Sequence, residues 1–396
     1  MTDTLDPIAL EDAVTLPTYA KPPVALVRGA GTTVWDVDGR AYLDFYGGHC
    51  VALLGHCPPR VVAAVQEQAA TLMFYSNAMY SPVRARAAEA LGALAPAGLG
   101  HAFFCNSGSE ANETALKLAR THTGRPGVVA MHGGFHGRTL GALAATSGKG
   151  YRAPYLDVLP PTRFVPFGWD GAVEEALAPG DVAAVIAEPI QSMAGVTEAP
   201  ADYYRALRRL CDAAGAVLIF DEVQTGVGRT GAFTYGEHVG VTPDLITLAK
   251  SLGAGVPVGA VLVSDAIAAG VKSGDQGTTF GGGMLAMAAV EATLQQLVDD
   301  GLMPRAVALF ERIRARVEAV PGVVRVQGRG GLVGIVLDRP TRPVVAALRG
   351  LGVLAGGSDD ARTMRIMPPL TTTDAEVDAF ADALAEALAA TPAVPA

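Results

Sequence analysis

Apolar residues in the middle of the chain fall into short unbroken runs bounded by turn residues: HAFFC (101–105), GVVAM (127–131), DVAAVIA (181–187), AVLIF (216–220) and LITLA (245–249). Runs of this length read as strands buried on both faces. Between them, EANETALKLAR and ADYYRALRRLCDAAG space their apolar positions as amphipathic helices do. PVGAVLVS follows as a further strand. This alternation, from about residue 101 to 263, predicts an α/β unit with a mainly parallel sheet covered on both faces.

The flanks have a different pattern. Residues 1–24 read as an irregular lead-in ending in Pro22 and Pro23. ALVRGAGTTVWDVDGRAYLDF alternates apolar and polar residues and predicts short antiparallel strands. Two helices are expected from PPRVVAAVQEQAATLM and SPVRARAAEALGALAP, and a glycine-rich loop and helix from GDQGTTFGGGMLAMAAVEATLQQLVDDG. From about 297 on, helices and a glycine-broken strand pair no longer continue the parallel pattern. The last helix opens on Thr373 and Glu376, spaced as a capping box. The division expected is an N-terminal segment (1–50) joining a C-terminal small α+β domain (297–396), around a large domain (51–296).

The chain has 396 residues, enough for two domains and a large core, and its formal charge is 30 − 39 = −9. No block of Lys and Arg offers a nucleic-acid footprint. No stretch reaches the apolar length of a membrane span, and the acidic start lacks a signal-peptide core, so a cytoplasmic protein is expected. Cysteines at 50, 57, 105 and 211 form no CxxC pair. The grouping of His49, Cys50, His56 and Cys57 fits no common zinc spacing, and ordinary packing is expected there with no metal. His132 and His136 flank Gly133 and Gly134, which reads as turn chemistry.

The runs AVLIF and LITLA each deliver charge to the carboxyl end of a strand: Asp221 with Glu222, and Lys250. Ligands of open α/β sheets bind along that edge. A desolvated lysine there becomes a nucleophilic amine, and an aspartate beside it can hold a cation. Pyridoxal phosphate needs such a pair: a lysine for its aldehyde and a carboxylate for its pyridine nitrogen. Two solvated strand-end charges are the alternative. Ser107, Gly108 and Ser109 open a helix and either cradle an anion or simply cap it. After GVVAM come Phe135, which could stack on a flat ring, then His136, and Arg138, which could fork onto a carboxylate. Glu188 and Gln191 end another strand.

NSGSEANETALKLAR, FHGRT, EPIQ, DEVQTGVGRTG, LAKSLGAGVPVGA, GTTFGG and MRIMPPL, in this order, resemble the class III pyridoxal-phosphate aminotransferases. The likeness is greatest to acetylornithine aminotransferases and their relatives on other ω-amino acids. It implies fold type I, the aspartate-aminotransferase architecture, with a mostly parallel seven-stranded sheet plus a small α+β domain. It implies a homodimer with active sites at the interface. Lys250 would carry the cofactor and move the proton. Asp221 would pair with the pyridine nitrogen. Val223 and Phe135 would pack on the ring, Gln224 would sit near its hydroxyl, and Glu188 beside it. Ser107, Gly108 and Ser109 would hold the phosphate, with Thr279 reaching the phosphate of the neighbouring subunit. Arg138 and Arg365 match substrate-carboxylate arginines, and His49 falls in a substrate-mouth loop. The implied reaction moves the terminal amine of a small-molecule donor, N-acetylornithine above all, to an oxo-acid acceptor, 2-oxoglutarate.

Two departures bear on substrate. EPIQSM places Met193 where the family has a glutamate able to pair with a substrate-site arginine, here expected to be Arg138. GGGM replaces the common GGNP, altering the loop after Thr279 at Gly283 and Met284. Other enzymes of this class, including succinylornithine, ornithine, 4-aminobutyrate, carrier-linked lysine-precursor and pyruvate-dependent aminotransferases and aminomutases, share the motifs. A non-catalytic protein on this fold would not be expected to keep Lys250 and Asp221. No GxGxxG follows the first strand of the sheet, which disfavours a nicotinamide enzyme.

Overall fold

The computed structural model describes residues 6–391. Its centre is a seven-stranded sheet in the order His101–Cys105, Gly259–Val263, Leu245–Leu248, Val217–Asp221, Val182–Ala187, Gly127–Met131, Thr162–Val165. Gly259–Val263 runs antiparallel to both its neighbours, and the other pairings are parallel. Side-chain alternation divides the inner strands between two cores. Val185, Ala187, Leu218 and Phe220 face one side with Tyr204 and Leu207 of helix Ala201–Ala214. Ala184, Ile186, Val217 and Ile219 face the other, under Ala115 and Leu116 of helix Gly108–Thr123. Burial on both faces is why these strands are continuous apolar runs in sequence.

Two elements depart from the sequence expectation. Thr162–Val165 is an edge strand, mostly half-buried and carrying Arg163, so it shows no apolar run. The lead-in contains a helix, Pro7–Val14, started by Asp6, whose Oδ1 accepts from the Ile8 N–H at 3.0 Å. None of its residues is buried, so it has no apolar stripe to reveal it.

The two ends of the chain meet in smaller sheets. Strands Leu26–Ala30, Thr33–Asp36 and Ala41–Asp44 form an antiparallel set, and Val353–Leu354 adds in parallel, pairing Val353 with Leu43. Phe45 stacks flat on Phe380 of the last helix, centroids 4.5 Å apart. A second sheet joins Val323–Arg329, Leu332–Leu337 and Thr363–Ile366. Among the described residues no helix is long and apolar enough to cross a membrane.

The last helix, Asp374–Ala390, starts as expected. Thr373 Oγ1 accepts from the Glu376 N–H at 3.3 Å, and Glu376 Oε2 accepts from the Thr373 N–H at 2.7 Å. Thr373→Ala should lower unfolding stability by about 1 kcal/mol in urea titrations. An unchanged midpoint would show that packing of Phe380 and Leu384 alone fixes this end.

Candidate active site

A cavity of about 410 Å³ lies at the carboxyl edge of the parallel strands. Asp221, the last residue of Val217–Asp221, lines it, while the period of the strand sends Glu222 into the protein interior. Asp221 is 3% exposed, and three donors hold its carboxylate, which leaves acceptor capacity toward the cavity. Oδ2 accepts from Asn112 Nδ2 and pairs with His136 Nδ1, each at 2.7 Å; Oδ1 accepts from the Val223 N–H at 3.1 Å. Asn112 is held in turn by Thr247 Oγ1, which donates to its Oδ1 at 2.8 Å. Burial alone would lower the His136 pKa, but the Asp221 carboxylate outweighs it and the pKa is raised. Glu222 is pushed up to about 8 by burial, and its Oε2 accepts from the Tyr235 N–H at 2.6 Å.

Lys250 follows strand Leu245–Leu248 and also lines the cavity. Its φ of +40° is in the left-handed region, a strained conformation for a lysine. Burial pushes its amine below the ordinary lysine range, against the opposing pull of Asp221 and Glu188. Glu188 is pushed up to about 7, chiefly by burial, and its Oε1 accepts from the Phe135 N–H at 2.7 Å.

The turn Ser107–Gly108–Ser109 forms a third wall. Ser107 Oγ accepts from the Glu110 N–H at 3.1 Å, so it caps the helix. The N–H groups of Gly108 and Ser109 lie in the first turn, where the helix itself supplies no acceptor. A Cβ on Gly108 would sit 2.9 Å from both methyls of Val223, so only glycine lets the turn lie against that side chain. Ser109 Oγ is engaged elsewhere. It accepts from the Arg138 and Thr139 N–H groups at 3.1 and 3.2 Å and bonds Thr139 Oγ1 at 3.0 Å. Glu113 completes this clamp, accepting from Thr139 Oγ1, Gly141 N–H and Ala142 N–H.

Phe135, His136, Arg138, Glu188, Val223 and Gln224 all line the cavity, as the motifs anticipate. Gln224 Oε1 is buried with no partner among the described residues. Arg138 is exposed and lies over the ring of Tyr151. Arg365 is buried outside the cavity lining; its Nε donates to Gly357 O at 2.6 Å and its Nη1 to Ser192 Oγ at 3.0 Å. His49, at φ +68°, pairs through Nδ1 with Tyr46 Oη. Burial pushes it down to about 4, helped by the charges of Lys250 and Arg365, so its imidazole is neutral at pH 7. Thr279 is exposed and does not line the cavity; its neighbour Thr278 reaches the turn, accepting from Asn106 Nδ2 at 3.2 Å.

The arginine hydrogen-bonded beside Met193 is Arg365, through Ser192, where the sequence pattern pointed to Arg138. His49, Cys50, His56 and Cys57 take separate surroundings: His56 pairs with Asp44 at 2.7 Å, Cys50 Sγ faces Gln224 O at 3.7 Å, and Cys57 is exposed. Sequence reasoning missed Asn112, Glu113, Tyr46 and Tyr151. Asn112 had a signal: three residues after Ser109, it is a polar residue on the helix face that carries Ala115 and Leu116.

The Glu188 carboxyl makes stability depend on pH. Its folded pKa of about 7 is above the ordinary 4.5, so the folded state holds a proton that the unfolded chain has lost. The stability this contributes is complete below pH 4.5 and is lost as pH rises through about 7. In urea titrations of the cofactor-free protein, wild type should lose stability relative to Glu188→Gln across that window. A constant difference would show that Glu188 titrates normally.

The class-III aminotransferase family model matches residues 16–388. Acetylornithine aminotransferase of Methanopyrus kandleri is 42% identical, over 94% of this chain and 96% of its own length. The enzyme of that name from Streptomyces coelicolor is 45% identical, over 91% and 90%. Among solved structures, ornithine aminotransferase of Toxoplasma gondii superposes with a TM-score of 0.90 at 32% identity, covering 97% of this chain and 93% of that one. One report of that structure describes partial occupancy of pyridoxal phosphate at its active site. Acetylornithine aminotransferase of Elizabethkingia anophelis gives 0.85 at 31% identity, covering 97% and 98%. With its seven-stranded sheet, and with Lys250 and Asp221 meeting at one cavity, the chain belongs to the class-III aminotransferases, a family of pyridoxal-phosphate enzymes.

Proposed function

We propose that the cavity binds pyridoxal phosphate and transfers the terminal amine of N-acetylornithine to 2-oxoglutarate. The observation that carries the reading is the Asp221 carboxylate, fixed by three donors with an acceptor site to spare and facing the same cavity as the desolvated amine of Lys250. Two further features fit the cofactor. Gln224 Oε1 is a buried polar atom without a partner among the described residues, suited to a ring hydroxyl. The turn at Gly108 offers first-turn N–H groups to a phosphate, with Val223 against it.

When bound, the cofactor supplies an electron sink for the carbon that loses its proton. The protein supplies the rest. Lys250 Nζ, its pKa lowered by burial, is suited to taking that proton and returning it. Asp221, fixed by Asn112, His136 and the Val223 N–H, keeps the pyridine nitrogen protonated. Glu188, pushed up to about 7 by burial, carries only part of a negative charge at neutral pH. Arg138, exposed at the cavity wall, receives the carboxylate remote from the reacting carbon. Arg365, buried behind the cavity lining near His49, contributes positive charge on the side of the carboxylate beside that carbon. In the first half the donor leaves as a semialdehyde and its nitrogen stays in the site; in the second, 2-oxoglutarate carries the nitrogen off as glutamate.

The donor is argued from the named relatives at 42% and 45% identity over more than nine-tenths of the chain. Ornithine is the second reading, favoured by the fold match to ornithine aminotransferase at TM-score 0.90. Visible absorption of the protein with pyridoxal phosphate tests both. Wild type should show a band that Lys250→Ala lacks, lost on adding N-acetylornithine and restored by 2-oxoglutarate. Loss of the band with ornithine but not N-acetylornithine would select the second reading. No lysine-dependent band would sink the assignment of Lys250.

We further propose a homodimer. Leu72, Met73, Tyr75, Met79, Tyr80 and Phe280 are all exposed, and Phe74 and Phe280 touch with ring centroids 5.2 Å apart. An apolar surface of this kind is normally covered by another molecule. It adjoins Thr279, an exposed residue whose hydroxyl is suited to a second copy's phosphate site. Light scattering should give twice the 40.6 kDa chain mass, and Phe280→Glu should shift it toward monomer and weaken cofactor retention. A wild-type monomer at micromolar concentration would remove the proposal.

A further inference from the structure

Arg138 is the guanidinium among the cavity-lining residues, and its backbone and side chain are held by different means. The backbone is fixed by Ser109 Oγ, which accepts from its N–H, and by the Thr139–Glu113 bond next to it. Glu113 is the acid in this network, yet its carboxylate is occupied by Thr139 Oγ1 and the Gly141 and Ala142 N–H groups. The guanidinium is held by an aromatic ring. Its Cζ lies 3.6 Å from the centroid of Tyr151 and 5.7 Å from that of Phe135. Tyr151 and Phe135 meet edge to face, 6.0 Å apart at 85°.

This arrangement has a chemical consequence. All the N–H donors of a guanidinium lie in its plane, so a ring stacked on its face uses none of them. A carboxylate partner would order the arginine equally well but would occupy the fork a substrate needs. An unstacked, exposed arginine would keep its donors free but would have to lose rotamer freedom on binding. The stack on Tyr151 orders the side chain and leaves the fork open.

We propose that Tyr151 is a positioning residue for substrate carboxylates, its ring face holding the Arg138 guanidinium ready for the anion while Phe135 braces the ring. The proposal rests on the reading of Arg138 as a carboxylate receptor. Among the described residues the Tyr151 hydroxyl has no side-chain partner within hydrogen-bond distance, so the ring is the working part and Phe is the conservative replacement.

The test uses the cofactor-loaded enzyme, with glutarate binding measured by calorimetry and steady-state kinetics on 2-oxoglutarate. Tyr151→Phe should match wild type within about twofold, because the ring face remains. Tyr151→Leu should weaken glutarate binding and raise KM for 2-oxoglutarate roughly three- to thirtyfold, the range of a cation–π contact. Its kcat should stay close to that of wild type, as expected for a loss of uniform binding. Tyr151→Met serves the same purpose if the Leu variant does not fold. Combined with Arg138→Ala, the Leu substitution should add nothing, because it acts through that arginine. Wild-type glutarate affinity in the Leu or Met variant, failure of Phe to preserve binding, or additive effects in the double variant would each overturn the role of Tyr151. If Arg138→Ala itself binds glutarate normally, the carboxylate reading of Arg138 fails and Tyr151 loses its role with it.

Discussion

The buried carboxylate of Asp221 is the constraint on which the site depends. A charge that deep is tolerated only when donors surround it. Three different segments provide them: Asn112 from a helix, His136 from a loop after a strand, and Val223 from the chain just beyond Asp221. Satisfying one carboxylate therefore fixes three backbones relative to one another. The helix Gly108–Thr123 carries both the anion-suited turn at its start and Asn112 in its second turn. Four residues of helix at 1.5 Å each separate Gly108 from Asn112 by about 6 Å. That spacing sets how far the turn's first-turn N–H groups lie from the group that grips Asp221.

A second consequence is electrostatic division of labour among three acids and a lysine. Asp221 has three donors. Glu188 and Glu222 are equally buried but have fewer donors, and burial raises them to about 7 and about 8. Asp221 is thus the best-supplied with donors of the three acids, and it faces the same cavity as Lys250. The same principle operates on the cations. Arg365 is held by the neutral oxygens of Gly357 and Ser192, and Arg138 by an aromatic face. Among the described residues neither gives its charge to an internal acid; Arg138 faces the cavity, and Arg365 is buried behind its lining.

The ends of the chain frame this site. Val353–Leu354 pairs with the early strand Ala41–Asp44, and Phe45 stacks on Phe380. His49 and Tyr46 follow directly from that early strand, and Arg365 comes from Thr363–Ile366. Arg229, fully buried in the segment after Asp221, donates to Pro368 O at 2.6 Å. These contacts hold Tyr46, His49 and Arg365, from the two ends, against the sheet built from the middle.

What the sequence determined by itself was whatever depends on local pattern. Strands buried on two faces must be apolar throughout, so AVLIF and LITLA were legible, and with them the positions of Asp221 and Lys250 at strand ends. The Thr373–Glu376 box was legible because its two bonds span three residues. The half-buried edge strand Thr162–Val165 and the unburied helix Pro7–Val14 left no such pattern. Tertiary structure alone decided the partners. Asn112 and Asp221 are 109 positions apart and Ser192 and Arg365 are 173 apart, and nothing local to either residue announces the other. It also decided that Tyr151 lies under Arg138 and that the segment carrying Met193 adjoins Arg365. Hydrogen bonds and ring stacking act over a few ångströms of space, and only the folded chain sets which residues share that space.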